Sequence, residues 1–133
     1  MYDSLVNICS LYAEDIPQDS IAICGLFHDI CKTNFYSQEM SYVKVNGNWI
    51  EKWGYVIDDK LPLGHGEKSV IILQQHFKLT KDEILAIRWH MSSFDYAVKG
   101  GEQAYSKATN QCKLLSLLEI ADMISSRILE GEF

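Results

Sequence analysis

The sequence predicts a mainly α-helical bundle of about five helices that carries one inserted β-hairpin at about residues 41–57. Three observations predict it. Apolar residues recur at helical spacing over most of the chain. An Asn46-Gly47 pair sits inside a run rich in aromatic and β-branched residues. No strand-helix-strand alternation suggests a parallel sheet. With 133 residues, 47% of them hydrophobic and 23% charged, the chain is expected to form one domain with one core.

The first helix is read over residues 1–13, where Leu5, Ile8, Cys9 and Tyr12 share one face. Pro17, Asp19 and Ser20 punctuate the chain, and a second helix follows over about 20–32, apolar nearly all round and therefore central. In SYVKVNGNWIEKWGYVI both residues of the Asn-Gly turn take positive φ, which makes 41–57 a hairpin. Its rings Tyr42, Trp49, Trp53 and Tyr55 suit either a small sheet covering the core or a flap stacking on a base or sugar. DDKLPLGHG is a loop by its Pro and Gly content, and residues 67–77 form a helix with Val70, Leu73 and Phe77 inward. Thr80 and Glu83 make a capping box that starts a helix through about Met91. Residues 92–108 are a long loop with room for a helical turn. The last helix covers about 109–129 and turns Leu114, Leu115, Leu118, Ala121, Ile124 and Ile128 inward.

The formal net charge of −6 repels polyanions, so nucleic acid is a disfavoured partner. No apolar run approaches the roughly 20 residues a membrane span needs. Cys9, Cys24, Cys31 and Cys112 form no CxxC pair, which points to a reducing cytoplasm and to small core residues. The oligomeric state is left open, a homo-oligomer included.

Four polar residues interrupt apolar helical patterns. His28 and Asp29 sit together in LFHDICK, His90 follows Ala86 and Ile87, and Asp122 breaks LLSLLEIADMI. Singly, each has an ordinary explanation: a satisfied histidine, or for Asp122 an ion pair with Arg88 or Arg127 or a solvent-facing position. Together they ask for a common one, because a buried carboxylate is costly unless paired or bound to a cation. Imidazole nitrogen and carboxylate oxygen are both ligands for divalent metals, which activate water at neutral pH.

LFHDICK, GHGEKSV, AIRWHM and EIADMISSRI, in that order, resemble the motifs of the HD-domain metal-dependent phosphohydrolases, a mostly helical superfamily. The resemblance runs from about Ile21 to Ile128. It implies that His28, Asp29 and Asp122 hold a divalent transition metal (Fe, Mn, Zn or Ni, with Mg an option), as one or two ions. It implies that His65 and His90 bind a second ion or the substrate phosphate, and that Lys32 steadies that phosphate. Asp29 and Lys32 are then the catalytic pair, and the substrate is a small phosphomonoester or phosphodiester, a nucleotide by resemblance. The family's first ligand histidine has no counterpart, since no histidine precedes His28. The chain is therefore expected to lack an N-terminal segment, and the alternative reading is an impaired module of the same family that binds a nucleotide or a partner protein.

GHGEKS has one residue between its glycines where a phosphate loop has four, so a nucleoside triphosphatase is rejected. Arg88 and Lys99 could lend charge to a phosphate, but spacing does not place them. His76 is read as a surface residue.

Overall fold

The computed structural model describes residues 1–132. Seven α-helices and one two-stranded antiparallel sheet occur among the described residues. They fall into two compact units. One is Met1–Cys31 together with everything described after Pro62, and the other is Lys32–Pro62.

In the first unit, α1 (Tyr2–Tyr12) turns Leu5, Ile8 and Cys9 into the core. Tyr12, expected on the same face, is exposed instead. The helix ends there, and Ala13 takes the buried position two turns beyond Leu5. Next, α2 (Gln18–Phe27) buries Ile21 and Cys24. It stops five residues short of the expected end at Lys32, and a 3-10 turn (Ile30–Lys32) follows.

The helix α3 (His65–Gln74) begins two residues earlier than expected and ends before Phe77, which stays partly exposed while Leu73 is fully buried. In α4 (Lys81–Trp89) the predicted capping box is present: Glu83 N–H donates to Thr80 Oγ1 (3.2 Å) and Thr80 N–H donates to Glu83 Oε2 (2.8 Å). The other oxygen of Glu83, itself buried, accepts from Ser20 Oγ at 2.7 Å and ties α4 to α2.

The expected loop over 92–108 is more ordered than the sequence suggested. It holds a 3-10 turn (Ser92–Phe94), a one-turn helix α5 (Tyr96–Lys99) capped by Asp95, and the start of α6 (Ala104–Gln111). The single helix expected over 109–129 is broken at Cys112, whose extended backbone separates α6 from α7 (Lys113–Ile124). Cys112 is buried there and its thiol reaches the Asp82 carbonyl at 3.4 Å, so a side-chain anchor outweighs helical continuity. Leu114, Leu115, Leu118 and Ala121 of α7 pack at the centre, against α1 and α4. A π-helical turn (Ser125–Leu129) follows, and it leaves Ile128, expected inside, exposed.

The second unit is the hairpin, β1 (Tyr36–Val45) paired with β2 (Asn48–Ile57). Asn46 and Gly47 have φ of 50° and 83°, the type of turn predicted. The strands begin five residues before the expected Ser41, because the ladder continues from Tyr42↔Glu51 to Tyr36↔Ile57. Of the two roles read for Tyr42, Trp49, Trp53 and Tyr55, covering a core is not what their exposure shows: all four rings are exposed.

All four cysteines are free and buried, and burial pushes the Cys24 thiol far up, as befits an inert core residue. No helix among the described residues is long and apolar enough to cross a membrane.

Candidate metal centre

Three segments distant in sequence converge inside the helical unit. The end of α2 supplies His28 and Asp29, the end of α4 supplies His90, and α7 supplies Asp122. The sequence placed His28 and Asp29 within a helix, where successive side chains diverge by about 100°. They lie instead at its end: His28 is the residue that closes α2, and Asp29 belongs to the turn beyond. That turn is fixed from below. Ser69 Oγ, fully buried on α3, accepts the Cys31 N–H at 3.1 Å.

Both imidazoles are buried and each is oriented by a backbone carbonyl. His28 Nδ1 lies 3.0 Å from the Cys24 carbonyl oxygen, and His90 Nδ1 lies 2.6 Å from that of Ile87. A carbonyl can only accept, so in each ring Nδ1 carries the proton and, in the neutral form, Nε2 is left with its lone pair. The two Nε2 atoms then face carboxylates. His90 Nε2 is 3.0 Å from Asp29 Oδ1, while His28 Nε2 is 3.7 Å from Asp29 Oδ2 and 3.8 Å from Asp122 Oδ1. The rings meet edge to face with centroids 5.0 Å apart.

Such a centre is a cluster of acceptors. Neutral imidazole and ionised carboxylate offer no proton between Nε2 and oxygen, so these contacts favour a shared cation or an added proton. Burial holds His28 below the ordinary histidine value and the His90 charge pushes the same way, while Asp29 and Asp122 oppose them more weakly. Protonation is therefore disfavoured where a cation would be welcome. Ligand atoms of His28, Asp29 and His90 all lie within 4.8 Å of one another. Asp122 stands outside that group, with its Oδ1 3.8 Å from His28 Nε2. Side chains of Asp29 and Asp122 are 34% and 41% exposed, so the centre opens to solvent on its carboxylate side. Its donor set, two oriented imidazoles and two carboxylates, fits a divalent metal.

His65, the first residue of α3, does not enter that group of ligand atoms. Its Nδ1 is 3.6 Å from the Cys31 thiol, a pairing the sequence did not suggest. Gly66 explains the close approach of α3 to the end of α4, since a Cβ there would strike the Arg88 carbonyl. Lys32 is exposed and ends the 3-10 turn, at the start of the hairpin unit. Arg88 does not pair with Asp122. Its guanidinium bridges Glu67 (2.6 Å) and Asp95 (2.8 Å) and stacks 3.8 Å over the Trp89 ring, which locks α3, α4 and α5 together just before His90. Lys99 lies over the Phe94 and Tyr96 rings, and His76 is exposed as expected.

A second polar group flanks His90 and escaped sequence reasoning. Tyr105 Oη donates to Glu119 Oε1 at 2.8 Å and lies 2.9 Å from Ser92 Oγ. Ser92 has a left-handed φ of 53°, a strained backbone for a non-glycine residue, two positions after His90. Desolvation raises the Glu119 carboxyl above the usual range, with the Tyr105 hydroxyl and the nearby His90 working against it. The available signal was weak: Glu119 precedes Asp122 by three residues, hence on the same face of α7.

The family model described as HD domain matches residues 4–127. No curated protein and no solved structure gave a significant match.

Proposed function

Because this chain belongs to the HD-domain family, we propose that it is a metal-dependent phosphohydrolase acting on a phosphomonoester or phosphodiester, with a nucleotide as the substrate class. His28, Asp29, His90 and Asp122 hold the ion. The observation that carries this reading is the pair of carbonyl-held imidazoles, which present two Nε2 lone pairs to carboxylate oxygens. Imidazole donors favour Fe, Mn, Zn or Ni over Mg.

When bound, such an ion lowers the pKa of water and withdraws charge from a phosphoryl oxygen. The protein's own groups do the rest. The carbonyls of Cys24 and Ile87 fix tautomer and ring plane, as partners of ligating histidines do elsewhere. Asp29, between both rings and partly open to solvent, is placed to take up a proton from attacking water. Lys32 and His65 neutralise the phosphoryl group, Lys32 on the strength of its sequence position three residues after Asp29 and His65 from the start of α3.

Metal analysis of the purified protein, paired with hydrolysis of a phosphomonoester, phosphodiester and nucleotide panel by wild type and Asp29→Ala, tests the proposal. Bound transition metal and hydrolysis that Asp29→Ala abolishes are expected. A metal-free protein whose hydrolysis survives Asp29→Ala refutes it, and a metal-free protein that binds nucleotide without hydrolysis supports the impaired module instead.

A further inference from the structure

The hairpin unit leaves an aromatic face exposed to water. Its register places Tyr36, Tyr42, Trp49, Trp53 and Tyr55 on one side of the sheet, with Met40 and Ile57 between them. The rings are 55% to 75% exposed. The opposite face mixes Ser37, Glu39, Ser41, Asn48 and Lys52 with Val43, Val45, Ile50 and Val56; Ser37, Val43, Gly54 and Val56 are half-buried there and the rest are exposed. A sheet with one solvated face normally turns its polar residues outward.

Five rings of roughly 200 Å² each, about two-thirds exposed, offer on the order of 650 Å². Met40 and Ile57 bring the apolar face to about 800 Å², the share each partner contributes to a stable interface of standard size and more than an ordinary monomer leaves open. A two-stranded hairpin alone is also only marginally stable in water, so covering this face stabilises the hairpin itself.

Charge selects the occupant. Lys32–Pro62 carries four lysines and four acidic residues, so the whole net charge of −6 lies on the helical unit. A neutral face does not attract nucleic acid or an anionic lipid surface, both of which need an excess of cations. Copies of this chain repel through their helical units and meet least repulsion through their hairpins. The aromatic face itself holds one lysine, Lys44, and one glutamate, Glu51, so an identical face offers the opposite charge to each. We propose that the chain forms a homodimer in which the aromatic faces of two hairpins pack against each other.

Sedimentation velocity of the full chain across a concentration series tests this. A dimer at micromolar concentration is expected. Trp53→Glu and Tyr55→Lys, both at exposed positions, should raise its dissociation constant by on the order of thirty-fold or more, as loss of a central aromatic anchor does. Ser41→Thr, on the opposite face and without a change of charge, should leave it nearly unchanged, with circular dichroism confirming that all three variants fold. A wild type that stays monomeric throughout the series overturns the proposal. So does a dimer indifferent to both aromatic variants, or a monomer that binds phosphatidylcholine vesicles through this face.

Discussion

Replacing Asp29 by asparagine separates a centre built for a cation from one built as an internal salt bridge. Burial pushes His28 below the ordinary histidine value, and in each ring the carbonyl-held Nδ1 leaves Nε2 as an acceptor when the ring is neutral. The acceptor pair His90 Nε2 and Asp29 Oδ1, 3.0 Å apart, is then unfavourable once metal is removed. Asparagine keeps the shape, removes one charge and supplies an N–H that can donate to Nε2. Exchanging a repulsion for one hydrogen bond is worth roughly 1 kcal/mol, which in a chain of this size raises the melting temperature by about 4 °C. With metal present the order reverses, because a neutral amide is a poor ligand. The affinity for Mn²⁺ or Zn²⁺ should fall by about 100-fold or more, beyond the loss typical of an outer partner. Calorimetric melting of chelated and metal-loaded protein, wild type against Asp29→Asn, measures both. A chelated Asp29→Asn protein that melts well below chelated wild type, with metal stabilisation unchanged, refutes the cation-centre reasoning and identifies the pair as imidazolium and carboxylate.

Three further outcomes are expected. Thr80→Ala removes the cap of α4 and should cost about 1 kcal/mol by chemical denaturation, leaving bound metal unchanged. Glu119→Gln should remove one component of the pH dependence of stability. The folded carboxyl lies above its ordinary value, so the folded state binds the extra proton, and wild type loses stability as pH rises from the unfolded value through the raised one. In a paired melting series the difference between wild type and the glutamine variant should change across that window, while the rest of the pH profile is shared. Gly66→Ala forces α3 away from the Arg88 carbonyl and should destabilise by about 1–3 kcal/mol. Because the same contact seats the end of α4, metal analysis of this variant should also show lower occupancy.

How far the centre could be read from sequence differs residue by residue. His28, Asp29, His90 and Asp122 stood out because a charged or imidazole side chain within an apolar helical pattern needs a partner, and that demand is local. The capping box at Thr80 and the Asn46-Gly47 turn were legible for the same reason, since all their interactions lie within a few residues. Tyr105 and Glu119 were not, because nothing in their own segments marks them. Only the fold brings a tyrosine of α6 to a glutamate of α7 beside the loop after His90.

The helical class and the hairpin were legible from the chain alone, because periodicity and turn chemistry are properties of short stretches, and the same apolar patterns singled out His28, Asp29, His90 and Asp122 as candidates. Tertiary structure alone decided where α2 ends, that Cys112 splits the last helix, and that two carbonyls aim both Nε2 atoms at the carboxylates. It also decided that the Cys31 thiol lies beside His65, and that the hairpin's aromatic side is exposed. The end of α2, the break at Cys112 and the His65–Cys31 contact depend on what a distant segment places within 4 Å, and sequence spacing carries no record of that distance.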